Sequence, residues 1–291
     1  MKSKVYFSKE ISKEKVVEMY KLLGIKLEEP VAVKVHSGEE GNQNYLHPEF
    51  MVPMVEYVNG TVVECNTAYG GERNTSEKHL KLLENHGWNK YFYVDLMDKD
   101  EDAIIEIPNG KILKKDIVGK NLFNYKSMLV LSHFKGHPMG GFGGALKQLS
   151  IGCASSSGKA YIHSGSKTTD QKILWSNTAP QDVFLESMAD AASAIVNHFK
   201  GNIAFVSIMC NLSVDCDCCS IAEDPCMEDI GILSSLDPVA LDQACVDLIY
   251  KSKDKGRDHF VERIETRNGI HTIEASHELG FGSREYELIE V

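Results

Sequence analysis

The sequence predicts an α/β fold, a mostly parallel sheet with helices on both faces. Three observations carry that expectation. Short β-branched or apolar runs alternate with amphipathic helical patterns, the arrangement that builds parallel sheets through crossover helices. No internal repeat, low-complexity tract or Pro-rich linker interrupts the alternation. Hydrophobic residues make up 43% and charged residues 25%, as in an ordinary globular chain.

Taken in chain order, "SKEKVVEMYKLLG" (12–24) reads as an amphipathic helix with Gly24 as its stop. "VAVKVH" (31–36) and "TVVECN" (61–66) read as strands, and "NTSEKHLKLLENHG" (74–87) as a helix stopped by Gly87. Strands follow at "KYFYVDL" (90–96) and "SMLVLSH" (127–133). A glycine run, Gly140 to Gly144, then precedes a helix carrying Lys147 in its first turn. A helix over 183–199 leads to the strand "NIAFVSIMC" (202–210). Near the C-terminus, Asp237 is placed to cap a helix with Pro238 at its first position. The 291 residues suffice for one α/β domain, or for two α/β halves with a break near 150–180.

These strands end in His36, Asn66, His133 and Cys210, with Asp95 just inside another. Open α/β sheets bind ligands beyond the carboxyl ends of their strands. Polar, metal-capable side chains therefore collect on the edge where such a fold places a site.

Several function classes are disfavoured. A net charge of −11 argues against binding nucleic-acid backbones, which needs clustered Lys and Arg. No apolar run approaches the ~20 residues that span a bilayer, and "MKSKVYFSKEISKEKV" lacks an apolar signal core. A cytoplasmic protein is expected. In a reducing compartment, crowded cysteines are more often metal-binding or catalytic than disulfide-bonded.

The crowding is in "CNLSVDCDCC" (210–219), which holds four of the eight cysteines, with Cys226 seven residues on. Cys216 and Cys218 alternate with Asp215 and Asp217. A C-x-C pair alone does not close a four-ligand metal site, so further ligands must come from elsewhere, with His133, His137, His163 and Cys153 as candidates. The neighbouring acids are expected to raise the thiols and disfavour a free thiolate unless a cation is bound. A metal or cluster site, a redox dithiol and inert thiols all stay open.

"SHFKGHPMGGFGGALK" places His133 at a strand end, with Lys135 and His137 after it. Gly143 and Gly144 before a helix N-terminus, with Lys147, have the ingredients of an anion cradle, although the spacing is not that of a Walker loop. "KVHSGEEGN" (34–42) brings His36 and Glu39 together for acid/base or ligand work. Arg73 is suited to gripping a carboxylate or phosphate. Neither a G-x-S-x-G elbow nor a G-x-G-x-x-G fingerprint is present.

These stretches resemble the domain of unknown function 362 family, whose members are often labelled iron–sulfur cluster-binding. The likeness lies in "VAVKVHSGEEGN", "HFKGHPMGGFGGALKQLSIGCAS", "GKAYIHS", "CDC", "DIGILSSLDPVALDQACVDLIY" and "ASHELGFGSREYELI", from residue 31 to the C-terminus. Many relatives carry a ferredoxin-like insert after the stretch matching "GKAYIHS". Here that position holds "GSKTTDQKILWSNTAP", without cysteine. The resemblance implies the core alone, so two-cluster [4Fe–4S] binding is not expected. Cys216 and Cys218 match the family's C-D-C, and His133, Lys135, His137, Lys147 and His163 match its other polar positions. Cys219 and Cys226 have no counterpart.

The sequence reading is therefore a metal- or redox-associated α/β enzyme acting on a small anionic substrate. His36, Glu39, Lys135 and Lys147 are its candidate catalytic residues. Arg73, Gly143, Gly144 and His163 are its substrate-binding candidates. Cys216, Cys218, His133 and His137 are its candidate ligands for Zn or Fe. An accessory or electron-transfer protein working with a separate ferredoxin, or a non-catalytic binding protein, is the alternative.

Overall fold

The computed structural model describes residues 2–291. Its strands, in chain order, are β1 (Ser3–Ser8), β2 (Val31–Lys34), β3 (Gly60–Glu64), β4 (Val94–Leu96), β5 (Asp102–Glu106), β6 (Lys115–Gly119), β7 (Ser127–His133), β8 (Lys135–His137), β9 (Gly141–Gly143), β10 (Ile203–Met209), β11 (Gly231–Ser235) and β12 (Tyr286–Glu290). The α-helices are α1 (Lys13–Lys21), α2 (Pro48–Tyr57), α3 (Ser76–Asn85), α4 (Ala145–Cys153), α5 (Ser156–His163), α6 (Gln181–Phe199), α7 (Pro238–Lys251), α8 (Arg257–Thr266) and α9 (Ile270–Glu278).

Eight strands form one sheet in the order β12-β1-β11-β10-β7-β2-β3-β4. The run from β10 to β4 is parallel, with Ile208 opposite His133 and Lys34 opposite both Val130 and Val63. Only β11 runs against its neighbours β1 and β10. The mostly parallel sheet expected from the strand–helix alternation is the one observed.

Successive strand residues point to opposite faces, so the core falls into two layers. Ala32, Val63, Val130 and Phe205 pack with Leu149 of α4, Ile195 of α6 and Ala244 of α7. Val33, Val62, Leu131 and Val206 pack on the other face with Met19 of α1, Met54 of α2 and Leu83 of α3. Helices therefore cover both faces.

Helix ends follow local chemistry. The Ser12 and Thr75 hydroxyls accept the Lys15 and Lys78 amides, and Asp237 accepts those of Val239 and Ala240. Gly24 and Gly87 sit just beyond α1 and α3 at φ +65° and +78°, as helix stops do. The strand expected over 90–96 shrinks to Val94–Leu96. Trp88 starts a short 3₁₀ turn instead, fully buried, with its indole donating to the Ser37 carbonyl at 3.2 Å. Tertiary burial of that ring outweighs the β propensity of the aromatic run.

The parallel strands β2, β3, β4, β7 and β10 all end on one edge. The segments leaving it carry His36, Asn66, the 135–144 glycine segment and the cysteine turn. No helix among the described residues is long and apolar enough to cross a membrane.

Candidate active site

Two loops from different strands meet on that edge. One leaves β7 and forms the short β8–β9 hairpin, ending at the start of α4. The other is the cysteine turn after β10, held by Cys219 N–H on the Cys216 carbonyl at 2.9 Å. The Asn42 side chain clamps this turn through the Cys216 and Cys219 carbonyls.

Side-chain contacts join the loops. The Lys135 ammonium lies 2.7 Å from the Asp217 carboxylate. Lys147 Nζ lies 3.4 Å from Cys216 Sγ, and His137 Nε2 lies 3.8 Å from Cys218 Sγ. His137, Cys216 and Cys218 offer donor atoms that all lie within 4.8 Å of one another, a spacing that could hold a metal ion.

The protons in this corner are set by its neighbours. Met139 and Gly140 donate their backbone N–H groups to His137 Nδ1 at 3.1 and 2.8 Å. A neutral imidazole has one donor and one acceptor nitrogen, so Nε2 carries the proton and presents it to sulfur. Burial, helped by the Lys147 charge, draws the His137 imidazole below its ordinary range and keeps it neutral. The two sulfurs suit a soft ion such as Zn or Fe. The imidazole, as placed, joins them as a ligand only after shedding its Nε2 proton or turning its ring.

Burial alone would push the Cys216 thiol up. Hydrogen bonding from Cys218, the Lys147 charge and His137 outweigh it and hold Cys216 well below the usual thiol range. Cys218, sharing its proton with Cys216 and Cys219, is pushed up instead. The corner thus pairs one buried thiolate with one thiol. The expectation that nearby acids would burden the thiols is corrected. Asp215 is paired with Arg263 at 2.9 Å and Asp217 with Lys135, while the cation beside the sulfur is Lys147.

Beside the corner opens a cavity of about 240 Å³. Four cationic side chains line it, Lys34, Arg73, Lys147 and Lys159, and one carboxylate, Glu64. His36, His163, Cys218 and Cys219 also reach it. Met139, Ile151, Leu174 and Trp175 supply an apolar wall. His163 Nδ1 donates to the Lys159 carbonyl one helical turn back at 2.7 Å. Burial pushes His163 down to about 4, so the ring is neutral and its Nε2 is bare. His137 and His163 thus share a cavity in opposite tautomers, each dictated by the backbone.

Of the residues singled out in the sequence, the structure brings Cys216, Cys218, His137 and Lys147 together and places His36, Arg73 and His163 around the same cavity. The others have different work. His133 is spent on both sides, with Nδ1 at 2.9 Å from Asp217 and Nε2 at 2.7 Å from the Cys210 carbonyl, so neither nitrogen is open to a metal ion. Lys135 is committed to Asp217. Glu39 is buried behind the cavity, where it holds Arg73 Nε at 3.2 Å and the Tyr69 hydroxyl at 3.1 Å. The anion cradle at Gly143–Gly144 is already filled by the chain itself. Asp242 of α7 accepts the Ala145 and Leu146 amides at 2.8 and 2.9 Å. A Cβ on Gly144 would lie 2.4 Å from Asp242, so glycine there makes room for an internal carboxylate.

Lys34, Glu64, Gln148 and Lys159 were not singled out. Lys34 and Glu64 did leave a signal, a charge at the end of an otherwise apolar buried strand. Gln148 and Lys159 sit on helices, where a polar residue is unremarkable in sequence.

The family model of the domain of unknown function (DUF362) matches residues 31–247. The chain belongs to the DUF362 family. The matched span runs from β2 into α7 and so contains every residue of the cysteine–histidine corner and the cavity. No curated protein matches this DUF362 chain. Among solved structures it is similar to the lactate racemase apoprotein from Thermoanaerobacterium thermosaccharolyticum, at 15% identity and a TM-score of 0.42 over 70% of this chain and 50% of that one. It is also similar to a Thermotoga maritima protein from a structural genomics programme, at 12% identity and a TM-score of 0.42 over 93% of this chain and 60% of that one. The DUF362 chain thus spans half and three fifths of those two proteins.

Proposed function

We propose that this DUF362 protein is an enzyme that binds a small organic anion in the cation-lined cavity and moves a proton on it. The observation that supports this reading is the cavity's make-up. Four buried or half-buried cations face it, three of them in contact with Glu64, Glu39 or the Cys216 sulfur and Lys159 with none, and an unprotonated imidazole nitrogen shares it with a protonated thiol. Positive charge in a partly enclosed, low-dielectric site selects an anion and steadies negative charge that develops on it. His163 Nε2 is the proton acceptor. The Cys218 thiol is the donor, backed by the Cys216 thiolate and by the His137 Nε2–H.

In a second state that excludes the first, Cys216 and Cys218 would hold a metal ion such as Zn or Fe as thiolates, with His137 as a third ligand after losing its proton, and Cys218 would then not serve as the proton donor. Such an ion would supply Lewis-acid polarisation of the bound anion. Metal analysis of anaerobically purified protein beside a Cys216→Ser/Cys218→Ser variant tests that assignment. Equal metal content in both removes the sulfurs from any metal site.

The proton-transfer reading is tested by incubating the protein with small 2-hydroxy acids in deuterated water. Proton NMR is expected to show deuterium entering at the carbon beside the carboxylate. His163→Gln and Cys218→Ala should each slow it by about 10²-fold or more, the usual contribution of a positioned acid or base. Acids that bind without exchanging, or exchange that survives both substitutions, would end this reading.

A further inference from the structure

We infer that Lys159 and Gln148 form a carboxylate subsite in this cavity, and that its occupant is a small monocarboxylic acid with an apolar body. The inference rests on reading the cavity as an anion site and assigns the atoms that grip the anion.

The cavity's other cations are already matched. Lys34 lies 2.6 Å from Glu64. Arg73 is held by Glu39 at 3.2 Å and Glu64 at 3.8 Å, and Lys147 by the Cys216 sulfur. Lys159 is 6% exposed, and no carboxylate among the described residues lies within ion-pair distance of it. One of its three protons goes to the Ala154 carbonyl at the end of α4, at 2.7 Å. The other two are free for a ligand. Asp98 and Glu64 act on this ammonium only from beyond ion-pair distance, and an arriving carboxylate would supply the contact they do not. Burial draws the Lys159 ammonium down, with Cys65 and Asp98 pulling the other way, so a bound anion would fix its proton.

Gln148 gives the second, independent sign. It is 5% exposed on the same wall, and its Oε1 accepts from Lys34 at 3.2 Å. Its Nε2 is buried without any partner. An orphaned buried donor is uncommon and calls for an acceptor that arrives from outside. A carboxylate is acceptor-only and suits an amide and an ammonium together.

Gly152, one helical turn after Gln148, keeps this wall open. A Cβ there would lie 2.8 Å from Gln148 Oε1 and 2.9 Å from Lys34 Cε. Ile151, Leu174 and Trp175 then face the remainder of the occupant, which must be apolar to suit them.

Calorimetry on the full chain tests the subsite with butyrate and phenylacetate as probes, and with butyramide and butyl phosphate as controls. Both carboxylates are expected to bind, and butyramide not to. Lys159→Met should weaken butyrate at least tenfold, with Lys159→Arg recovering part of the loss. Gln148→Glu keeps the acceptor for Lys34 but replaces the orphan donor with a like charge, and should abolish binding in a folded protein. Carboxylate binding unchanged in Lys159→Met and Gln148→Glu but lost in Lys147→Met would overturn the subsite and leave the anion cavity standing. Butyl phosphate binding more tightly than either carboxylate would overturn the ligand class. An unmodified protein that binds none of the anions would sink the cavity reading itself.

Discussion

The Asp217 carboxylate lies 2.7 Å from the Lys135 ammonium, and this ion pair ties the cysteine turn to the segment that follows β7. His133, the last residue of β7, joins it at 2.9 Å, so one carboxylate holds two side chains of the β7–β8 segment. Burial alone would raise Asp217, but His133 and Lys135 hold it well below the carboxylate range. Breaking such a pair leaves a buried charge uncompensated, at a cost of about 3–5 kcal/mol. Asp217→Leu should therefore destabilise the chain by that order in urea unfolding. The double variant Asp217→Leu/Lys135→Met should lose less than the sum of the singles. Strict additivity would show that the two groups are not coupled.

Lys147 is the cation that keeps Cys216 ionised. Removing it in Lys147→Met should move the thiolate titration to higher pH, read by ultraviolet thiolate absorbance. The sign follows from the depressed thiol: its anionic form persists to lower pH only while the ammonium is present. An unchanged titration would pass the credit to Cys218 and His137.

Asp242 satisfies two amides at the start of α4, and its loss leaves them buried and unpaired. Asp242→Ala should cost about 1–3 kcal/mol in chemical denaturation. Butyrate affinity should be unaffected, because that helix end faces an internal carboxylate and not the cavity. A large loss of affinity at unchanged stability would return the glycine segment to the binding site.

Acid should weaken the fold through His163. In the unfolded chain an imidazole titrates near 6.5, whereas burial holds this one at about 4 in the folded protein. Between those values the unfolded state takes up a proton that the folded state refuses, so stability falls as pH drops through the window. The effect is bounded at about 3 kcal/mol. Asp116 and Asp242, both pushed up to about 7 by burial, act in the opposite sense over the same range. Comparison with His163→Gln cancels them. The variant should lose less stability than the unmodified chain between neutral pH and about pH 4.5, and parallel losses would refute the assignment.

Much of this was legible in the sequence. The alternation of apolar runs and helical patterns specified a mostly parallel sheet, and the polar residues closing those runs marked the edge that carries the candidate site. Cys216, Cys218 and His137 were among the ligands the sequence offered, together with His133, His163 and Cys153, but only the sheet order, with β7 beside β10, brought the glycine-rich segment to C-D-C. Local chemistry sufficed for the sheet and its edge, since side-chain period, helix caps and strand ends depend on near neighbours.

Which of the polar residues are free was decided only by the tertiary structure. His133, Lys135 and Glu39 look as reactive in sequence as His137 and Lys147, yet each is consumed by a partner distant along the chain. Asp242, from a helix beyond the cysteine turn, fills the cradle that Gly143 and Gly144 seemed to offer a ligand. Conversely, Gln148 and Lys159, ordinary in sequence, line the cavity with donor protons that no protein group takes up. A side chain's chemistry is set by what remains after its hydrogen bonds and counter-charges are assigned, and that remainder exists only once the chain has folded.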